Sequence, residues 1–266
     1  MRWIIKPNPE EKSVKKISDD LGVDLNIASL LVNRGITNFE EAKDFFRPKL
    51  SSLHDPYMMK DMDKAVSRIQ SALTKNEQIL VYGDYDVDGT TSVAMMASYL
   101  ENKTKKIDTY IPDRFNEGYG ISYKGIDYAV DNNYSLVIAL DCGTNSRDEA
   151  AFLQNIGIDL IIVDHHQAKD EVSRIPIILN PHLEENKNFP WYNLCTAGLA
   201  FKLAHGLIKR LKQKNSALVD KVKLKEFLPL SALGTIADLV PLQDENRIIS
   251  KFGLKHLGHN PSVGIN

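Results

Sequence analysis

Three aspartates stand at alternate positions in ILVYGDYDVDGTTSVAMM: Asp84, Asp86 and Asp88, directly after a short apolar run. Like charges this close repel one another, and taking them out of water costs more still, so the cluster needs either a cation among the carboxylates or a solvated turn. Further groups of the same kind follow: Asp141 in ALDCGTN, Asp164, His165 and His166 in IIVDHHQ, and Asp238 in GTIADLVPL. Carboxylates and imidazoles without a thiolate form a donor set suited to Mn²⁺ or Mg²⁺ more than to structural zinc. Six or seven such groups exceed the needs of one ion, whereas two ions about 3.5–4 Å apart, sharing a carboxylate, would use them. Such a pair activates water at neutral pH and stabilises both attacking and leaving oxygens, as phosphoester hydrolysis requires.

Singly, each group has a more ordinary use. Aspartates in a loop make a solvated turn, and of two adjacent histidines one is commonly in the core and one at the surface. Asp141, before Cys142 and Gly143, and Asp238 are both placed to cap a helix or turn. Their placement relative to the strands shifts the balance. Apolar runs rich in Val and Ile occur at Gln78–Tyr82, Ile107–Ile111, Ser135–Leu140, Leu160–Val163 and Ile175–Leu179, with helical patterns between them. Continuous rather than alternating hydrophobicity predicts strands buried on both faces, hence an α/β fold with a mainly parallel five-stranded sheet flanked by helices. The runs lead into Asp84, Asp86 and Asp88, into Asp113 and Arg114, into Asp141, into Asp164, His165 and His166, and into Asn180. In open parallel sheets ligands bind beyond the carboxyl ends of the strands, so all five ends converge on one edge. Unrelated caps would not meet there.

Before this sheet the chain reads as a small helical subdomain: SVKKISDDLGV, DLNIASLLVNRG and TNFEEAKDFF are amphipathic units with Gly or Asn stops, and Thr37 with Glu40 makes a capping-box pattern. A connector with Pro48 and Pro56 follows. After the sheet, TAGLAFKLAHGLIKRLKQK predicts a helix with one apolar face, and the lysines from Lys202 to Lys225 read mostly as a solvated surface.

The formal charge of −2 neither predicts nor excludes a nucleic-acid partner, because bound cations would hide positive charge from a residue count. Two cysteines, Cys142 and Cys195, rule out a disulfide framework and read as small buried residues. No run is long enough to span a bilayer and the N-terminus lacks a signal-peptide pattern, so a cytoplasmic setting without membrane partners is the expectation. The glycine patterns of dinucleotide and P-loop sites are missing, as is a serine-nucleophile elbow.

In order along the chain, VYGDYDVDGTTS, ALDCGTN, IIVDHHQ and ALGTIADLVPL resemble the four acidic motifs of the DHH phosphoesterase superfamily, whose name is spelled by Asp164-His165-His166. LLVNRGI, LHDPYMMKDMDKAV, YIPDRFNEGYGIS, TAGLAFKLA and ENRIISKFGLKHL are similar to segments of its RecJ family, exonucleases that degrade single-stranded DNA from the 5′ end. The resemblance implies a domain over residues 61–266 of the DHH type, preceded by the helical subdomain and connector over 1–60. It implies two divalent ions, Mn²⁺ preferred or Mg²⁺, with Asp86 and Asp88 as principal ligands, Asp84 nearby, Asp141 bridging, His165 ligating in its neutral form and Asp238 completing the set. Asp164 would orient a histidine or ligand, and His166 would contact the scissile phosphate or assist proton transfer. The implied activity is metal-dependent 5′-to-3′ hydrolysis of single-stranded DNA in repair and recombination, with a single-strand-binding protein or a helicase as protein partner. The alternatives are a DHH phosphodiesterase on short oligonucleotides or small nucleotides, and a non-catalytic DNA-binding relative. Family members usually continue into a DHHA1-type domain and an oligonucleotide-binding module; this chain stops at HLGHNPSVGIN, so reduced processivity is expected.

The segment DRFNEGYG adds substrate contacts. Arg114 can fork onto a phosphate, Phe115 or Tyr119 can stack an unpaired base, and Gly118 and Gly120 allow the strand to approach closely. The alternative is a loop packed by its own aromatics.

Overall fold

In the computed structural model, which describes residues 6–169, 172–173, 176–183, 190, 192–213 and 223–259, the three central apolar runs form strands buried on both faces. These are β1 (Ile79–Gly83), β3 (Leu136–Leu140) and β4 (Asp159–Val163). Alternate residues point to opposite sides: Ile79, Val81, Leu136, Ile138, Ile161 and Val163 enter one core, while Leu80, Tyr82, Val137, Ala139, Leu160 and Ile162 enter the other. Short strands β2 (Ile107–Tyr110) and β5 (Ile177–Leu179) close the two edges. The sheet is parallel throughout, in the order β2-β1-β3-β4-β5. Ile175, the first residue of the fifth expected run, lies outside the described residues.

Helices cover both faces, as parallel connections require. The larger core lies under α4 (Met62–Lys75), α5 (Val87–Glu101), α8 (Thr196–Gln213), α9 (Leu228–Ala237) and α10 (Asp244–His259). The smaller lies under α6 (Tyr123–Asp131) and α7 (Arg147–Asn155). No helix of the described residues is long and apolar enough to cross a membrane.

Two expectations about α8 are corrected. Instead of one apolar face, every residue from Thr196 to Ala204 is buried, because the helix packs against α4, α5 and α9. Lys202 is not solvated but 1% exposed: its ammonium lies 2.7 Å from Glu245 Oε1 and donates to the His54 carbonyl at 2.6 Å. Burial lowers the Lys202 pKa, and Glu245 at the start of α10 opposes that shift. Lys212, Lys223 and Lys225 are exposed as expected, whereas Lys214 and Lys221 lie outside the described residues.

The chain divides into two compact units, Met1–Ser52 and Leu53–Asn266, so Leu53 to Lys60, grouped by sequence with the first part, fall in the second unit. Leu53 and Tyr57 pack on its larger core. The first unit holds α1 (Glu11–Leu21), α2 (Leu25–Val32) and α3 (Phe39–Phe46) around Ile17, Ala28, Leu31, Ile36 and Ala42. The capping box of α3 is displaced by one residue from Thr37 and Glu40. Asn38 caps the helix by accepting from the Glu41 N–H at 3.0 Å, and the Glu41 carboxylate accepts from the Thr37 N–H at 2.7 Å. Asn caps as well as Thr, which puts Glu41 at the third helical position.

Candidate metal centre

The strand order reverses direction between β1 and β3, and a sheet of this order opens a crevice at the carboxyl ends of those two strands. Register then fixes what lines it. Gly83 pairs with Leu140, Leu140 with Val163, and Val163 with Leu179. The next residues, Asp84, Asp141, Asp164 and Asn180, therefore form a row across four strand ends. The Asp84 N–H donates to Leu140 O (3.2 Å), that of Asp141 to Val163 O (2.9 Å) and that of Asp164 to Leu179 O (3.1 Å).

The solvated-turn reading fails for two of the first three aspartates: Asp84 and Asp88 are 3% and 2% exposed. One Asp84 oxygen, Oδ1, is buried without a hydrogen-bond partner among the described residues, and burial raises the pKa of this carboxyl. Asp86 is exposed and does cap α5, accepting from the Gly89 N–H at 2.9 Å. Gly89 is required there, since a Cβ would lie 2.5 Å from the Asp84 carbonyl oxygen. Asp88 reaches across to the start of α8, where it accepts from the N–H groups of Thr196 (2.7 Å) and Ala197 (2.8 Å). The positive end of that helix offsets part of its charge.

Asp141 adopts φ +65°, a left-handed conformation that Asp tolerates better than most residues. The turn aims its carboxylate into the crevice, where Oδ1 accepts from the Thr196 hydroxyl at 2.9 Å. Burial, then the nearby charges of Asp88 and Asp86, push its carboxyl up to about 10. Asp238 ends α9, and burial followed by Asp86 raises its pKa. A carboxylate at a helix C-terminus is disfavoured by the helix dipole, so capping does not explain it.

His165 Nε2 gathers these groups. It lies 3.5 Å from Asp141 Oδ1, 3.6 Å from Asp238 Oδ2 and 3.7 Å from Asp88 Oδ2. Burial lowers its pKa, favouring the neutral, ligating imidazole. A cation about 2.1 Å from each donor would separate donor atoms by roughly 3 to 4 Å, so the spacing fits. On the other side, Asp84, Asp86 and Asp141 also offer oxygens within 4.8 Å of one another. Among the described residues, the side chains within ion-pair distance of Asp88, Asp141 and Asp238 are histidines.

Asp164 is engaged elsewhere. Its Oδ2 accepts from the Thr144 N–H (3.0 Å), and its Oδ1 lies 2.7 Å from His166 Nδ1 and accepts from the His166 N–H (3.1 Å). Although burial pushes this carboxyl up, the His166 and Thr144 contacts bring it down to about 2. The pair with Asp164 in turn raises the His166 pKa.

The structure also assembles groups to which sequence reading gave no partner. Thr196 bonds both Asp88 and Asp141. Asn180 Nδ2 donates to Thr144 Oγ1 (2.8 Å) and to His166 O (2.9 Å). Cys195, buried as expected, offers its sulfur beside Asp88 and Asp238. Asn180 carries the signal of its strand end and Thr196 a faint one as a small hydroxyl residue opening a helix; Cys195 carries none.

All three expected substrate contacts, Arg114, Phe115 and Tyr119, are exposed, and the Tyr119 hydroxyl is tethered at the centre. Asp113 Oδ1 accepts from the N–H groups of Phe115 (2.9 Å) and Asn116 (2.8 Å), which holds Phe115 at a tip where it is 93% exposed. Glu117 braces the loop from Tyr110 OH (2.8 Å), Ser122 Oγ (2.5 Å) and the Asp113 N–H (2.9 Å). The Arg114 guanidinium lies over the Tyr85 ring, 5.3 Å from its centroid. Tyr119 points its hydroxyl at Asp141 O (3.1 Å) and at the His166 ring.

Comparison with known proteins agrees with this geometry. The family model "DHH family, N-terminal domain" matches residues 78–235. The chain is 38% identical, over all of its length, to the single-stranded-DNA-specific exonuclease RecJ of Bacillus subtilis (strain 168), of which it spans 32%. It is 32% identical to the protein of that name from Escherichia coli (strain K12), with 86% of the chain and 39% of the relative covered. Of solved structures, RecJ of Thermus thermophilus in complex with Mn²⁺ superposes with TM-score 0.77 at 26% identity, covering 99% of this chain and 36% of that one. An exonuclease RecJ bound to manganese gives 0.70 at 28% identity, covering 82% and 52%.

Proposed function

The chain belongs to the DHH family, and on that premise we propose that it hydrolyses phosphodiester bonds of single-stranded DNA from the 5′ end, using two divalent cations, Mn²⁺ or Mg²⁺. The observation that carries this reading is the meeting of Asp84, Asp86, Asp88, Asp141, His165 and Asp238 at the β1/β3 crevice, with the buried Asp84 Oδ1 lacking a partner among the described residues. Such a concentration of buried carboxylate is costly without positive charge and is what two cations would relieve. The single-stranded-DNA specificity and bound manganese of the similar proteins support the choice of substrate and metal.

Asp84, Asp86 and Asp141 would hold one ion, and Asp88, Asp141, His165 and Asp238 the other, with Asp141 shared. When bound, such a pair lowers the pKa of water and draws charge from the phosphoryl oxygens. The chain's own groups do the rest. Asp164 occupies Nδ1 of His166, which leaves Nε2 to hydrogen-bond the scissile phosphate or pass a proton to the departing oxygen. Arg114 would fork onto a backbone phosphate, and Phe115, exposed at its braced tip, would stack an unpaired base. A single-strand-binding protein or a helicase would supply the strand.

The test is hydrolysis of a 5′-labelled single strand and of a dinucleotide, each with Mn²⁺. We expect release of short 5′ products from the strand. Cleavage of the dinucleotide alone would replace this reading with that of a small-substrate phosphodiesterase, and strand binding without hydrolysis would make the chain a non-catalytic relative.

A further inference from the structure

We propose that Tyr119 is a positioning residue whose hydroxyl ties the backbone of the shared carboxylate Asp141 to the imidazole of His166, rather than a residue that stacks on a base. The inference rests on the phosphodiesterase reading above and deepens it. The phenol oxygen lies 3.1 Å from Asp141 O, and 3.0 and 3.2 Å from Nδ1 and Nε2 of His166. These contacts cannot all be made at once, and the donor inventory sorts them. A phenol has one proton to donate and lone pairs to accept with. A carbonyl only accepts, so the proton goes to Asp141 O. His166 Nδ1 is committed to Asp164 at 2.7 Å. The phenol lone pairs are therefore left facing the His166 ring, 3.0 and 3.2 Å from its two nitrogens.

Each contact has a physical reason to be there. The carbonyl that Tyr119 holds belongs to the residue at φ +65°, where an L-residue needs its surroundings to keep it. The ring it touches is 42% exposed, and Asp164 holds it by hydrogen bond through Nδ1. Base stacking asks something else of an aromatic, namely an open face. The Tyr119 ring meets His166 edge to face, with centroids 5.5 Å apart and planes at 70°, and its hydroxyl end lies against the metal centre. Tyr119 is 55% exposed with its hydroxyl end tethered, whereas Phe115, four residues earlier, is 93% exposed.

Tyr119→Phe keeps the ring and removes the hydroxyl. We expect kcat on single-stranded DNA to fall about 10-fold to 100-fold, the range for losing a group that orients a metal-site residue, with KM and Mn²⁺ affinity within about twofold of wild type. Phe115→Ala should do the reverse, raising KM with kcat kept. A second readout does not need turnover: the ring nitrogen resonances of His166 in the Mg²⁺-loaded protein, assigned by their loss in His166→Gln, should move in Tyr119→Phe. An unchanged kcat, or a loss confined to KM, would overturn the proposal. So would a fall in kcat with the His166 resonances unmoved. If the wild type cleaved no phosphodiester, the functional reading would fall while the resonance shift still decided whether Tyr119 holds His166.

Discussion

The two ends of the same three strands are built on opposite principles. At the amino ends of β1, β3 and β4, the Arg68 guanidinium sits between acids: Nε bonds Asp159 at 2.6 Å and Nη2 bonds Glu77 at 2.7 Å, while the Ser135 hydroxyl donates to Glu77 at 2.9 Å. Of the guanidinium nitrogens, Nη1 is buried without a partner among the described residues. At the carboxyl ends, Asp84, Asp141 and Asp164 share the crevice with Asp88 and Asp238, and the described groups beside them are histidines and hydrogen-bond donors rather than a paired lysine or arginine. The pKa directions follow. Burial pushes Glu77 up, but Arg68 and Ser135 outweigh it and leave the carboxyl below its ordinary value. At the other end burial and neighbouring charges leave Asp84, Asp88, Asp141 and Asp238 above theirs. One edge has its charges balanced by the chain and serves stability; the other leaves them for something the chain does not contain, and that is where chemistry is to be expected.

Substitutions at each edge should therefore part stability from activity. The largest effect is expected for Asp141→Asn, which keeps the left-handed backbone because Asn also tolerates it. Mn²⁺-dependent hydrolysis should fall by at least about 1,000-fold, while metal-free melting temperature rises because folding no longer has to hold a proton on this buried carboxyl. Retained activity, or a lower melting temperature, would contradict the account. Arg68→Ala should behave in the opposite way: unfolding free energy falls by about 2 kcal/mol in denaturant titration, with kcat per folded molecule unchanged.

A smaller effect is expected at the rim of the active edge. Arg114→Ala should weaken single-strand binding about 5-fold to 10-fold and lower the slope of log K against log salt by about 0.7, the value for one phosphate contact on a single strand. An unchanged slope would remove Arg114 from the phosphate.

In pH dependence the two edges should have opposite signs. The folded pKa of Glu77 lies below its unfolded value of 4.5, so its stabilisation is present above that pH and lost as pH falls through the folded value. For Asp141 the folded value of about 10 lies above the ordinary 3.8. Its ionisation therefore takes stability from the metal-free protein progressively as pH rises between those values. Stability profiles of Arg68→Ala and Asp141→Asn should each flatten, the first on the acid side and the second across the interval between 3.8 and about 10.

The sequence made one half of this contrast legible. Buried runs of Val and Ile announced strands covered on both faces, and their carboxyl ends announced where acids would meet. It did not announce the partners that hold those acids. Asp88 is fixed by amides at Thr196 and Ala197, more than a hundred residues away, and only the packing of α5 against α8 and α9 brings them together. Gly234 permits that packing, since a Cβ there would lie 2.8 Å from Asp88 Oδ1. Lys202 misled for the same reason: its partner Glu245 is two helices on, so a charge that looks solvated in a helical pattern is buried in the fold. Tyr119 and Phe115 look interchangeable as aromatics of one loop, and the fold separates them: the Tyr119 hydroxyl is tethered at Asp141 O, while Phe115 stands 93% exposed on the turn that Asp113 holds.

The central claim is that the carboxyl edge of the sheet is a site for two cations sharing Asp141. Equilibrium binding of Mn²⁺ to the metal-free chain, followed by calorimetry together with the melting temperature, tests it most directly. The account predicts two ions per chain, a rise in melting temperature on binding, and loss of that stoichiometry in Asp141→Asn. A single ion per chain, or two ions whose binding is indifferent to Asp141, would contradict it.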